Sequence, residues 1–133
     1  MEQFSVEADV PGGIHAAWRA RRLVERELDG RVPADVIADV ELLVTELVAN
    51  GVRHGGATDG VPLHVRVEAR PPAVRVEVEN PQPDHNRVAQ RRPDLGGGGG
   101  LGLHIVERIA SRWGVRDDPR TSVWFEVDRG ALH

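Results

Sequence analysis

Glu41 to Gly56 reads ELLVTELVANGVRHGG, and the rest of the chain is placed around it. Leu42, Leu43, Leu47 and Val48, with Val36 and Val40 ahead of them, recur at helical intervals, the pattern of one amphipathic helix. Glu46, Asn50 and His54 are spaced four residues apart, so they stack along a single line of that helix. A carboxylate, a carboxamide and an imidazole in file are ordinary on a solvated face. Here the flanking positions are so apolar that the line borders a buried region.

Upstream, Gln3 to Ala8 alternates Phe4, Val6 and Ala8 with polar residues, a first strand at a sheet edge, broken by Pro11-Gly12-Gly13. A helix follows from Ile14 to Leu28, with Ile14, Ala17, Trp18, Arg21, Leu23 and Val24 on or near its packed side. Asp29-Gly30 ends it. Pro33 marks the first turn of the central helix, and Gly55-Gly56 stops that helix after His54.

Downstream, Leu63 to Ala69 and Ala73 to Glu79 alternate with period two and form a hairpin around Arg70-Pro71-Pro72. Asn80 to Leu95 has no periodicity and is rich in proline and charge; a structureless loop of about fifteen residues is usually functional or mobile. Gly96 to Gly100 is unbroken glycine. Leu101 to Ser111 is helical in pattern, and Trp113 to Val115 and Ser122 to Val127 are closing strands. The order β-α-α-β-β-loop-α-β-β predicts a single domain over 1–133, of α+β class. It is a two-layer sandwich with helices on one face of a mixed, mostly antiparallel sheet.

The 133 residues suit one hydrophobic core. Cysteine is absent, which excludes disulfides, thiolate metal sites and a thiol nucleophile. A net charge of −4 argues against a broad nucleic-acid surface. The apolar runs are too short to span a bilayer and MEQFSVEADV lacks the pattern of a signal peptide, so a cytoplasmic protein is expected, with no membrane or nucleic-acid partner. All 17 basic residues are arginine. Without lysine there is neither a Walker A loop nor Schiff-base chemistry. His15, His64, His85, His104 and His133 are scattered with no metal-binding spacing, and no Ser-His-Asp arrangement points to a hydrolase. Asp35, Asp39 and Glu41 read as a solvated helix face, and Trp18, Trp113 and Trp124 as core or interface anchors.

The glycine run leads into a helix. Glycine lets backbone approach a ligand closely, and the unpaired N–H groups of a helix's first turn attract anions. GGGGGLGLHIVERI therefore reads either as a flexible linker or as a phosphate cradle, and a linker is an odd thing to place before a core helix. Asn50 offers an uncharged oxygen suited to Mg²⁺. Glu46, one turn earlier, is placed to deprotonate an attacking hydroxyl or water. Alone, Glu46 is an ordinary surface carboxylate and Asn50 an ordinary residue near a helix end; together with the glycine run they supply complementary halves of a nucleotide site.

TELVANGVRH resembles the N box of the GHKL ATP-binding superfamily, and GGGGLGLHIVERIASRWG resembles its glycine-rich second box. The chain from Phe4 to Val127 is most similar to the stand-alone branch of bacterial anti-sigma-factor serine/threonine-protein kinases. The resemblance implies a Bergerat fold that binds ATP and Mg²⁺, phosphorylates a serine on an antagonist protein and sequesters a sigma factor; relatives suggest a homodimer. By it, Asn50 is the Mg²⁺ ligand and Glu46 the general base, with Arg53 and His54 near the phosphates. Gly98, Gly100, Leu101, Gly102 and Leu103 wrap the phosphates, Asn86 to Leu95 form a lid, and Thr121 approaches the adenine or phosphate side.

One departure stands out. The family's first glycine box has an adenine-binding aspartate followed by glycines; here VRVEVE ends in Asn80, with Pro81-Gln82-Pro83 after it. A charge-assisted hydrogen bond is roughly twice as strong as a neutral one. Asp84 is a substitute only if the loop turns back. The alternative function is accordingly a non-catalytic protein-interaction module with weak or degenerate nucleotide binding. Gly51, following the N-box asparagine, is expected to weaken the helix by about 1 kcal/mol relative to alanine.

Overall fold

Strand alternation fixes which side of the sheet is dry. In a computed structural model, which describes residues 3–81, 103–117 and 120–129, the strands are β1 (Phe4–Val10), β2 (Leu63–Arg70), β3 (Ala73–Glu79), β4 (Arg112–Arg116) and β5 (Ser122–Asp128). Leu63, Val65, Val67, Val74, Val76, Val78, Val123, Phe125 and Val127 all point to one face and are buried. The helices α1 (Ala16–Leu28), α2 (Ala34–His54) and α3 (Leu103–Ile109) form the other layer. All pairings are antiparallel, in the order β1-β2-β3-β5-β4. This is the α+β architecture expected, with an all-antiparallel sheet among the described residues.

The central helix buries Val36, Val40, Leu43, Val44, Leu47, Val48 and Gly51. Leu42 lies off that face and is 42% exposed. Helix α1 differs from expectation in phase. Its buried residues are Ala16, Ala20, Leu23, Val24 and Leu28, whereas Ile14 precedes the helix and is 91% exposed and Trp18 is 57% exposed. Two alanines carry the first half of the contact face, and Trp18, two positions from Ala16, points away from it. Arg21 is not packed either, but reaches across to Glu41 at 3.5 Å. The last helix ends earlier than its apolar pattern, because the Ser111 N–H is captured by the Glu126 carbonyl at 2.8 Å and the chain turns into β4.

The face without helices is charged rather than apolar. Arg75 lies 4.3 Å from the Trp124 ring centroid and bonds Glu126 at 3.3 Å, while Ser122 donates to Glu77 at 2.7 Å. Trp124 is thus half-buried on the open face, over Gly114, where a β-carbon would fall 2.8 Å from its Nε1. Trp113 is also half-buried, so none of the three tryptophans is a fully enclosed core residue.

The edge strand β1 is pinned by His64 on β2. Its Nε2 lies 2.6 Å from Glu7 and its Nδ1 2.9 Å from Asp9, and Arg66 bonds Glu7 at 3.1 Å. Two carboxylates on the two ring nitrogens suit the doubly protonated imidazolium, so hydrogen bonds to Asp9 and then Glu7 raise the His64 pKa. A raised histidine pKa stabilises the fold fully below the unfolded value of about 6.5 and is lost as pH climbs through the folded value. Urea titrations from about pH 6 to about pH 9 should therefore show wild type losing stability relative to His64→Gln. Parallel curves would show that the imidazolium contributes nothing to holding the edge.

Candidate nucleotide site

The polar line of α2 comes close to the sheet at its C-terminal end. Glu46, Asn50 and His54 are each half-buried there, and Arg53 is exposed. The helix stops where the Gly55 and Ala57 N–H groups both return to the Gly51 carbonyl, at 2.8 and 3.2 Å, with Gly56 at φ +84° turning the chain away. That turn is locked from the other side: Gly12 donates to the Val61 carbonyl and Gly13 to that of Ala57.

Asn80 immediately follows β3 and extends its ladder with β5, donating its N–H to the Thr121 carbonyl at 2.9 Å. This bond holds the side chain against α2. A β-carbon at Gly55 would meet the Asn80 Cγ, Nδ2 and Oδ1 at 2.5, 2.7 and 2.8 Å; one at Gly51 would meet Leu63 Cδ2 at 2.5 Å and Asn80 Oδ1 at 2.7 Å. The two glycines, one helical turn apart, are the bed on which the carboxamide lies. From sequence, Gly51 is a weakness in the helix and Gly55 a stop. The signal was present as a glycine pair at i, i+4 beside the Asn50–His54 line, a shallow trough of the width an amide needs.

Asn50 and Thr121 carry buried side-chain oxygens without partners among the described residues. Asn80 is 8% exposed. Asn50 Oδ1 and Thr121 Oγ1 are sealed from solvent and unpaired, with Thr121 wholly buried. Leaving such a group unmade costs roughly 1–3 kcal/mol, so the two call for a partner. The structure thus joins Asn80 to both α2 and Thr121, with Asn50 beside Gly51 in the same helix. Leu103, 3% exposed, opens α3 as a core residue. Gly98, Gly100, Leu101 and Gly102 lie outside the described residues, as do Asp84 and the segment Asn86 to Leu95 with Arg91-Arg92.

The donor set suits a magnesium–nucleotide complex better than a bare ion. No group of three or more His, Cys, Asp or Glu among the described residues would hold a metal. Asn50 Oδ1 is nonetheless a buried, uncommitted neutral oxygen. Mg²⁺ fits such a place, since it takes one or two protein oxygens and completes its shell with phosphate oxygens and water.

A layer of helices on one face of an antiparallel five-stranded sheet defines the class of this domain as α+β. The chain belongs to the histidine kinase-like ATPase domain family, whose model matches residues 14–127. Among solved structures it is similar to the RsbU and RsbW domains of Rv1364c from Mycobacterium tuberculosis, with 20% identity and a TM-score of 0.70. That likeness, which covers 94% of this chain and 32% of the other, concerns the fold. A search of curated proteins finds no match. No helix among the described residues is long and apolar enough to cross a membrane.

Proposed function

We propose that this domain binds ATP with Mg²⁺ and transfers the γ-phosphoryl group to a serine of an antagonist protein, while sequestering a sigma factor. The observation that carries the nucleotide part is the pair of unpaired buried oxygens, Asn50 Oδ1 and Thr121 Oγ1, with the buried Asn80 bonded to the Thr121 backbone. Family membership supports ATP as the ligand. The choice of protein partners rests on the resemblance to anti-sigma-factor kinases.

In this reading Asn80 and Thr121 take the base, and Asn50 Oδ1 would hold the metal. Bound Mg²⁺ supplies charge neutralisation on the phosphate oxygens. Arg53 and His54, one turn beyond Asn50, add positive potential and hydrogen-bond donors at the same end. Glu46, one turn on the other side, accepts the proton of the attacking serine hydroxyl. The serine oxygen bonds to the γ-phosphorus as the bond to the bridging oxygen breaks and ADP departs. Little covalent chemistry is required of the protein, so positioning supplies most of the acceleration.

Calorimetry with Mg-ATP tests the nucleotide claim: wild type should give heat and Asn50→Ala should weaken binding by about tenfold or more, the scale of one lost charge-assisted contact. No heat from wild type removes the claim. Labelled-phosphate transfer to a cognate antagonist tests the chemistry, and Glu46→Ala should lower it by about 100-fold or more, the contribution of a general base. A second reading, a protein-interaction module without catalysis, is favoured by the amide that stands at position 80. ATP binding with no transfer would select it.

A further inference from the structure

Alternation along β3 sends Asn80 toward the helices and Glu79 to the helix-free face of the sheet. Two adjoining cavities open on that face, of about 220 and 500 Å³, and they share His64, Glu79 and Arg120. The smaller is lined by three carboxylates, Glu7, Glu77 and Glu79, and three guanidiniums, Arg66, Arg116 and Arg120. Most of these charges are already matched. Glu7 accepts from Arg66 at 3.1 Å and lies 2.6 Å from His64, while Glu77 accepts from Arg116 at 3.1 Å and from the Ser122 hydroxyl at 2.7 Å. Asp9, on the wall of the larger cavity, holds the other ring nitrogen of His64 at 2.9 Å. One charge of each sign is left over. Glu79 makes no ion pair among the described residues, and Arg120 gives a single 3.4 Å hydrogen bond, to the Pro81 carbonyl.

We propose that this face holds a site for a small zwitterion of the α-amino acid class, with its ammonium on Glu79 and its carboxylate on Arg120. The balance of charge decides the class. Three charges of each sign give the lining no net field to draw a lone cation or anion, yet a dipolar molecule finds a match for both of its ends. Each end gains a charge-assisted hydrogen bond, and a guanidinium suits a carboxylate through its planar fork. A ligand with one charge satisfies one of the two groups and leaves the other to water. Ser122, 3% exposed, is the register partner of Glu79 on β5. Its proton goes to Glu77, so its oxygen keeps acceptor capacity for the ammonium. A cavity of about 220 Å³ is small for a drug-sized molecule and suits one the size of an amino acid. The site does not depend on the nucleotide reading. Glu79 and Arg120 immediately precede Asn80 and Thr121, so an occupant would tie, from the other face, the same two segments that the Asn80–Thr121 backbone bond joins.

The test is an amide-resolved NMR titration of the full chain with L-alanine and with L-glutamine, using methylammonium and acetate as ligands that carry one charge each. Either amino acid should move the Glu79, Arg120 and Ser122 amides and saturate with a midpoint of about 1 mM or below. Methylammonium and acetate should each bind at least about tenfold more weakly, the scale of one missing charge-assisted contact. Glu79→Gln and Arg120→Gln should each raise the amino-acid midpoint by about tenfold or more for the same reason, with thermal unfolding little changed. Absence of saturation by about 20 mM of both amino acids in folded wild type overturns the inference. So do single-charge ligands that bind as tightly as the amino acids, shifts centred away from these three residues, or a midpoint that neither substitution moves.

Discussion

Phe125→Ala should lower the unfolding free energy by about 3–5 kcal/mol, the cost of emptying a closed aromatic site in a core. Phe125 is fully buried and is among the largest enclosed side chains of the molecule. It sits on β5, between Val76 of β3 and Trp113 of β4 in the sheet register, so both neighbouring strands lose their contact with it. Domains of this size have roughly 5–15 kcal/mol in total, so the variant sits near the limit of folding. Thermal unfolding should move down by roughly 10–20 °C, and urea unfolding should report the same loss. A shift of only a few degrees would mean that β5 does not close the core as described.

Gly55→Ala is the second large effect, and its cause is a single neighbour. The three heavy atoms nearest the new β-carbon all belong to Asn80, at 2.5 to 2.8 Å. The backbone at Gly55, φ −104° and ψ 9°, accepts alanine, so strain in the helix end is not the issue. Overpacking of this kind costs about 1–3 kcal/mol. In an Asn80→Ala background the obstruction is gone, and the same substitution should cost close to nothing, a coupling of about 1–3 kcal/mol between the two sites. Gly51→Ala is the control. Its β-carbon also meets Leu63 at 2.5 Å, so part of its cost should persist whatever occupies position 80. Additive behaviour of Gly55 and Asn80 in urea titrations would remove the carboxamide from its bed on α2.

The sheet and the central helix were legible in the sequence because their signals are local. Val65 and Val67 against Val74, Val76 and Val78 state a period of two, and Val40, Leu43, Leu47 and Val48 state a helical period. Ile14 and Trp18 misled for a physical reason: hydropathy favours large apolar groups, while α1 packs through Ala16 and Ala20, whose small size lets helices approach. The Glu46, Asn50 and His54 line was legible as a polar stripe. What Asn80 rests on was not, since a glycine's contribution is a missing side chain and the contact joins segments far apart in the chain. Periodicity has no term for either.

The backbone bond from Asn80 to Thr121 has a consequence for biosynthesis. A chain leaving the ribosome presents α2, with its whole polar line, while β5 is still unmade. Until Ser122–Asp128 has emerged and paired with β3, Asn80 has no anchor and Thr121 no position. A nascent chain therefore carries the helix before the junction of Asn80 and Thr121 exists. On the proposed nucleotide reading, ligand capture becomes a late checkpoint that waits for β5 to dock.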